Sequence, residues 1–173
     1  GRKVRDLIAD PIYAEIFPKT DLKPDSQAAG RWETSAGGEY FAAGVGAAMT
    51  GRGADLLIID DPHSEQDALS ANAYDNAYEW YTSGPRQRLQ PGGTIIIVQT
   101  RWSKKDLTGR LLQAQAKDSM ADQWDLIEFP AIMPSGEPLW HEFWKKEELL
   151  KVKASLSPGK WNAQWQQDPT SDE

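Results

Sequence analysis

The sequence predicts an α/β domain with a mainly parallel sheet and flanking helices. Three observations predict it. Two apolar, β-branched runs, Leu56-Leu-Ile-Ile59 and Ile95-Ile-Ile-Val98, show no polar alternation, as expected of strands buried on both faces. The stretch between them is long enough for one crossover helix, and a right-handed crossover sets the two strands parallel. Both runs end in polar side chains, Asp60-Asp61 and Gln99-Thr100-Arg101. Parallel strands put their carboxyl ends on one sheet edge, where open α/β sheets bind ligands. Asp60, Asp61, Gln99, Thr100 and Arg101 are therefore expected to share one crevice.

The other elements follow in chain order. Residues 1–17 read as helical, with Val4, Leu7, Ile8 and Ile12 on one face and Pro11 interrupting or restarting the helix. Residues 19–38 read as a polar connection around Arg31-Trp32. Residues 39–50 read as strand, tight turn, strand, bent at Gly44 and Gly46. Gly51-Arg52-Gly53 leads into the first buried strand. Ser64 is expected to cap the crossover helix, which runs to about residue 81 with Tyr74, Ala77, Tyr78 and Tyr81 against the sheet. Pro91-Gly92-Gly93 is a turn into the second strand. Ser103 to Asp106 reads as a capping box for a helix through about residue 117. The alternation of 124–129 predicts a further strand, 130–144 is irregular, and 145–153 is a short charged helix. Ser157-Pro158 starts a last helix, with Trp161 and Trp165 on one face.

Bulk properties narrow the function. The chain has 173 residues, the size of one ordinary domain, and its eight Trp supply core volume. Without Cys, disulfides and thiolate metal sites are excluded, and two His are too few for a His-rich zinc site. No apolar stretch is long enough to span a membrane, and no signal peptide opens the sequence. The net charge of −7 means that overall charge does not hold a nucleic-acid duplex. Three local basic clusters (Arg2, Lys3, Arg5; Arg86, Arg88; Lys104, Lys105) either touch phosphates or form solvated surface.

An apolar strand ending in two carboxylates has the form of a Walker B element. The first carboxylate, Asp60, suits Mg²⁺ beside nucleotide phosphates, and the second, Asp61, suits the attacking water. A plain Asp-Asp-Pro turn is the alternative. At the second strand, Thr100 or Gln99 is placed to sense a phosphate, and Arg101 either does the same or pairs with Asp60 or Asp61. Arg52, between two glycines, is either an arginine finger for a neighbouring subunit or a solvated turn residue. His63 reads as a surface residue at a helix entry, and His141 as a surface or packing residue. The Trp pairs (Trp140, Trp144; Trp161, Trp165) fill core or stack bases.

Six segments carry a family resemblance: Gly51-Arg-Gly-Ala-Asp-Leu-Leu-Ile-Ile-Asp-Asp-Pro-His63, Gln99-Thr-Arg-Trp102, Asp106-Leu-Thr-Gly-Arg110, Phe129-Pro-Ala131, Leu139-Trp140 and Trp161-Asn-Ala-Gln-Trp-Gln-Gln-Asp-Pro169. In order and spacing the set resembles the large terminase subunit of tailed bacteriophages, an ATP-driven DNA-packaging motor. The resemblance implies a partial domain of the P-loop (ASCE-type) ATPase class. Residues 1–169 would be the C-terminal majority of its ATPase domain, and 170–173 the start of a linker to a nuclease domain. It implies ATP and Mg²⁺ as cofactors. Asp60 would hold the metal, Asp61 and Arg52 would be catalytic, and Gln99, Thr100 and Arg101 would form the nucleotide-coupling motif. It also implies double-stranded DNA, a portal protein, a small terminase subunit and further copies in a ring on the procapsid as partners, in the host cytoplasm and without a membrane. The chain departs from the family pattern in five ways. It has no Gly-x-x-x-x-Gly-Lys-[Ser/Thr] phosphate cradle, expected ahead of residue 1, and no nuclease-domain carboxylates, expected after residue 173. It has Asp61 where Glu is commoner, Gln99-Thr100-Arg101 replaces a small-hydroxyl triplet, and His141 stands where Pro is frequent. Another P-loop DNA translocase of the helicase kind and a non-catalytic assembly module are the alternative readings.

Overall fold

The computed structural model describes residues 1–47, 49, 51–67 and 70–170. The chain forms two compact units, Gly1–Met49 and Thr50–Glu173. Of the expected linker start at 170–173, all but Thr170 lies outside the described residues.

In the first unit, Pro11 does split the helical segment. Helix α1 spans Arg2–Ile8 and α2 spans Pro11–Ile16. Asp10 caps α2, its Oδ1 accepting the Ile12 N–H at 2.8 Å, and Pro11 occupies the first turn, where no donor is needed. Within this unit, Val4, Leu7 and Ile12 stay exposed and Ile8 alone of that face is buried. The connection expected over 19–38 is instead largely sheet. Strands β1 (Leu22–Ala28), β2 (Arg31–Thr34) and β3 (Glu39–Phe41) form an antiparallel sheet in that order. Pro24 sits in β1, an edge strand whose pairing slips between Leu22 and Gln27, which is where a sheet tolerates proline. Cross-strand pairs supply what apolar patterning lacks: Trp32 stacks on Tyr40 at 4.7 Å, and Lys23–Glu33 and Arg31–Glu39 pair at 3.0 Å. Gly44 and Gly46 do not turn a hairpin, since β3 ends at Phe41 and pairs back to β2. Positions 48 and 50 of that expected second strand lie outside the described residues.

In the second unit, β4 (Ala54–Asp60) and β5 (Leu89–Val98) pair in parallel, running in register from Leu56↔Thr94 to Asp60↔Val98. Helix α3 (Ala71–Ser83) and a 3₁₀ turn (Pro85–Arg88) make the crossover. The helix starts after Ser70, not Ser64. Ser64 instead closes a local turn, its N–H and Oγ donating to Asp67 at 2.7 and 2.8 Å. The expected burial on both strand faces is corrected. Leu57, Ile59, Ile95 and Ile97 face Tyr81, Leu107 and Leu111, while Leu56, Ile58, Ile96 and Val98 are about half exposed. A chain that is β-branched on both faces hides the alternation from the sequence.

Helix α4 spans Leu107–Lys117 and is capped by Asp106, whose Oδ1 accepts the Gly109 N–H at 2.8 Å; Ser103 is not the cap. The strand expected at 124–129 does not form, and that run belongs to no helix, turn or strand. Helix α5 covers Lys146–Ser155. The short helix α6 (Pro158–Lys160) is capped by Ser157 and continues as a π turn, Trp161–Trp165. The two Trp rings stack at 5.8 Å, and Trp161 is buried, so this pair fills core.

Candidate functional site

The carboxyl ends of β4 and β5 come together at Asp61. Its backbone turns left-handed (φ +43°), a conformation that Asp tolerates better than most residues. Its N–H donates to the Val98 carbonyl at 2.9 Å, extending the ladder one residue past the strand. The Asp61 carboxylate then accepts the backbone N–H of Thr100 on Oδ1 at 3.1 Å. One oxygen of Asp61 is thereby fixed, and the other is left to solvent. Asp60 precedes it, opposite Val98 in register, exposed and with no hydrogen-bond partner among the described residues.

Arg101 settles differently from either expectation about a carboxylate of the Asp pair. Its Nε donates to Asp106 Oδ2 at 3.0 Å, with Arg101 about one-tenth and Asp106 not at all exposed. The same carboxylate accepts the N–H groups of Trp102 (3.0 Å), Ser103 (3.3 Å) and Gly109 (2.8 Å). Four donors around one buried carboxylate compensate its desolvation and lock the 101–106 turn onto the start of α4. From the far end of the chain, Gln167 Oε1 accepts the Arg101 N–H at 3.2 Å. Gln166 clamps Ile132 on both backbone groups, at 3.0 and 2.9 Å.

His63 is also not the surface residue expected. It is 4% exposed, packs edge-on to Tyr74 at 5.1 Å, and its Nε2 accepts the Leu107 N–H at 2.9 Å. That acceptor role requires the neutral ring with the proton on Nδ1. Burial holds the His63 pKa below its ordinary value, against the opposing pull of Asp106 and Asp67. His141 is surface, beside Glu142.

A cleft of about 630 Å³ is lined by Asp61, Gln99, Thr100, Arg101 and Gln167 at one end. Four of the five residues expected to share a crevice thus line one; Asp60 is adjacent but does not line it. Gln99 is notable there, because both its Oε1 and Nε2 are buried without a partner among the described residues. Arg52 is not brought to this place. It is half-buried two residues ahead of β4, whose length alone, about 20 Å of extended chain, separates the strand's start from Asp60.

Asp106, His63, Gln166 and Gln167 are the site-organising residues that sequence reading missed. The signals were present as Pro62-His63 directly behind the Asp pair and as a pair of Gln among Trp, but their partners are 34 to 66 residues away. Among the described residues no three His, Asp or Glu side chains converge as a metal cage. The donor set that does exist, an exposed Asp60 beside Asp61, fits Mg²⁺, which keeps its waters and takes one or two carboxylates plus phosphate oxygens. No protein-family model matches this chain, and no curated protein sequence matches it.

Proposed function

We propose that this chain is part of a nucleotide-hydrolysing domain of the large-terminase kind, working as a motor on double-stranded DNA. The observation that carries the reading is the hydrogen bond from the Thr100 N–H to Asp61 across the ends of two parallel strands. It does two things that phosphate-anhydride hydrolysis needs. It orients the Asp61 carboxylate so that its second oxygen accepts a hydrogen bond from water, the position of a general base. It also makes that orientation depend on the backbone of 99–101, so that a phosphate arriving or leaving at Thr100 rotates Asp61. Asp60 would hold Mg²⁺ with the nucleotide, and the ion would neutralise charge on the transferring phosphate. Arg101, locked on Asp106, acts here by fixing the loop, whereas Arg52, at the other end of β4, would serve only a neighbouring subunit's site. The phosphate cradle is not among these residues, so the segment holding it would lie elsewhere in the motor.

Paramagnetic Mn²⁺ with ATP provides the test. The expected result is selective broadening of the backbone resonances of residues 60–61 and 99–100, lost in Asp60→Ala. Broadening confined to other carboxylates, or unchanged in the variant, would remove the assignment.

A further inference from the structure

On the second unit, segments 129–144 and 164–167 enclose a pocket of about 220 Å³ walled by Phe129, Trp140, Trp144 and Trp165. Backbone bonds pin these segments together. The Ala131 N–H donates to the Trp165 carbonyl at 2.7 Å, the Leu139 N–H to Ala131 at 3.0 Å, and the Trp144 N–H to Trp140 at 2.8 Å. The rings also brace one another. Trp144 meets Trp165 edge-on at 5.7 Å, and Phe143 backs Trp140 at 4.8 Å. The walls are therefore set in advance of any ligand. Yet two of them face water, Phe129 at 68% and Trp140 at 59% exposed. Uncovered aromatic surface around a concavity marks a place where something binds. One polar group on the lining is uncommitted. The Gln164 side-chain amide makes no hydrogen bond among the described residues, whereas Gln167 uses both its amide atoms, on the Arg101 N–H and the Gln164 carbonyl.

Charge selects the ligand. Residues 118–144 carry six Asp or Glu and no Lys or Arg, and residues 161–170 carry Asp168 and again no Lys or Arg. Glu128 and Asp168 each adjoin a lining residue in sequence. Their carboxylates are exposed and have no partner among the described residues. The two lysines that follow Trp144 are engaged, Lys145 on the His141 carbonyl and Lys146 on Glu137. The field at the pocket is thus negative, and the ring faces add their own negative charge. A phosphate-bearing base, which also stacks on aromatic rings, is repelled by such a field, and an organic cation is drawn in. The same chemistry occurs within the fold next door, where Lys153 Nζ stands 5.8 Å from the Trp161 ring centre. Size sets a further limit. An apolar cavity of about 150 Å³ admits benzene. The pocket's 220 Å³ therefore suits one planar cation with part of its stem. A guanidinium meets these conditions better than an ammonium. It is flat, weakly hydrated, stacks on rings, and has edge N–H groups for an amide oxygen.

We propose that this pocket is an arginine-binding site, filled by the side chain of one arginine in a basic segment of a partner polypeptide. The guanidinium stacks on indole and donates to Gln164 Oε1. Phe129 and Gln167 line both this pocket and the larger cleft, so the bound arginine lies beside the residue that holds the Arg101 N–H. The pocket requires no nucleotide, and the proposal stands or falls separately from the hydrolytic reading.

The test is a nuclear magnetic resonance titration of the 173-residue chain with blocked Gly-Arg-Gly, without nucleotide. The indole N–H resonances of Trp140, Trp144 and Trp165 are expected to move with a Kd on the order of 1 mM, while that of Trp32, in the first unit, stays still. The citrulline peptide, of the same shape but neutral, is expected to bind about tenfold more weakly. Free arginine, whose own carboxylate meets the negative field, is expected to bind about threefold more weakly than the blocked peptide. Trp140→Leu, at an exposed position, is expected to weaken binding about tenfold with the Trp32 resonance unchanged, and Trp140→Phe to retain most of it. The proposal is overturned if the three indoles do not respond at about 10 mM peptide. Equal binding of the citrulline peptide would make the pocket an apolar slot, and undiminished binding to Trp140→Leu would place the peptide elsewhere. Equal binding of free arginine would replace the partner polypeptide by a small molecule. Each of these three results also overturns it.

Discussion

At the scale of single residues, the candidate site is held by groups that never touch it. His63 shows how. Its unprotonated Nε2 is the acceptor for the first N–H of α4, so protonation both charges a buried ring and orphans a donor. The pKa is lowered in the fold, so between the ordinary value of 6.5 and that lower value the unfolded chain binds the extra proton. The His63 contribution is therefore complete above pH 6.5 and is lost as the pH falls through that window. Urea unfolding at pH 7.5 and 5.5 is expected to show wild type losing stability on acidification. His63→Ala, about 2–4 kcal/mol less stable at pH 7.5 from the lost ring and acceptor, should show a smaller loss between the two pH values. An equal acid loss in the variant would assign the pH dependence to the carboxylates.

At the scale of elements, the turn between β5 and α4 is the most constrained piece of the second unit. Gly109 marks it: a Cβ there would run into the backbone carbonyl of Lys104, within the loop gathered around Asp106. In an open helix, Gly→Ala stabilises by about 1 kcal/mol. Here the sign reverses, and Gly109→Ala is expected to destabilise by about 1–3 kcal/mol as backbone yields to backbone. A raised melting temperature would mean that the turn is looser than its hydrogen bonds indicate. This turn also shows what a sequence discloses about an element. The apolar runs of β4 and β5 were legible, because β-branched runs ending in polar residues have few other meanings, and so was the meeting of Asp61 with Thr100. Which strand face is buried was not legible, since both faces carry Ile, Leu or Val. Strand β1 was hidden by Pro24, Asp25 and Ser26, whose place in a sheet depends on pairing with Glu33 and its neighbours. The 124–129 run had the period of a strand but lacks a partner among the described residues, and a period alone makes no ladder.

At the scale of the whole molecule, the hydrolytic reading divides labour between these 173 residues and polypeptide beyond them. In that reading Asp60, Asp61 and Thr100 would supply a metal ligand, a water ligand and a phosphate-sensitive backbone. Nothing in the sequence supplies the ring of backbone N–H groups and the lysine that grip a triphosphate. Positioning and charge stabilisation account for nearly all of phosphoryl-transfer catalysis, so the carboxylates alone give little rate. The net charge of −7 adds a long-range repulsion toward ATP that local geometry must overcome. The purified chain is therefore expected to turn over ATP·Mg²⁺ at or near the background rate in a coupled phosphate-release assay, with Asp61→Asn indistinguishable from wild type. Asn keeps the tolerance for the left-handed backbone and the acceptor for the Thr100 N–H, so a difference between the two would report chemistry and not folding. Robust turnover abolished by Asp61→Asn would show that these residues already contain a complete catalytic centre, and the division of labour would be wrong.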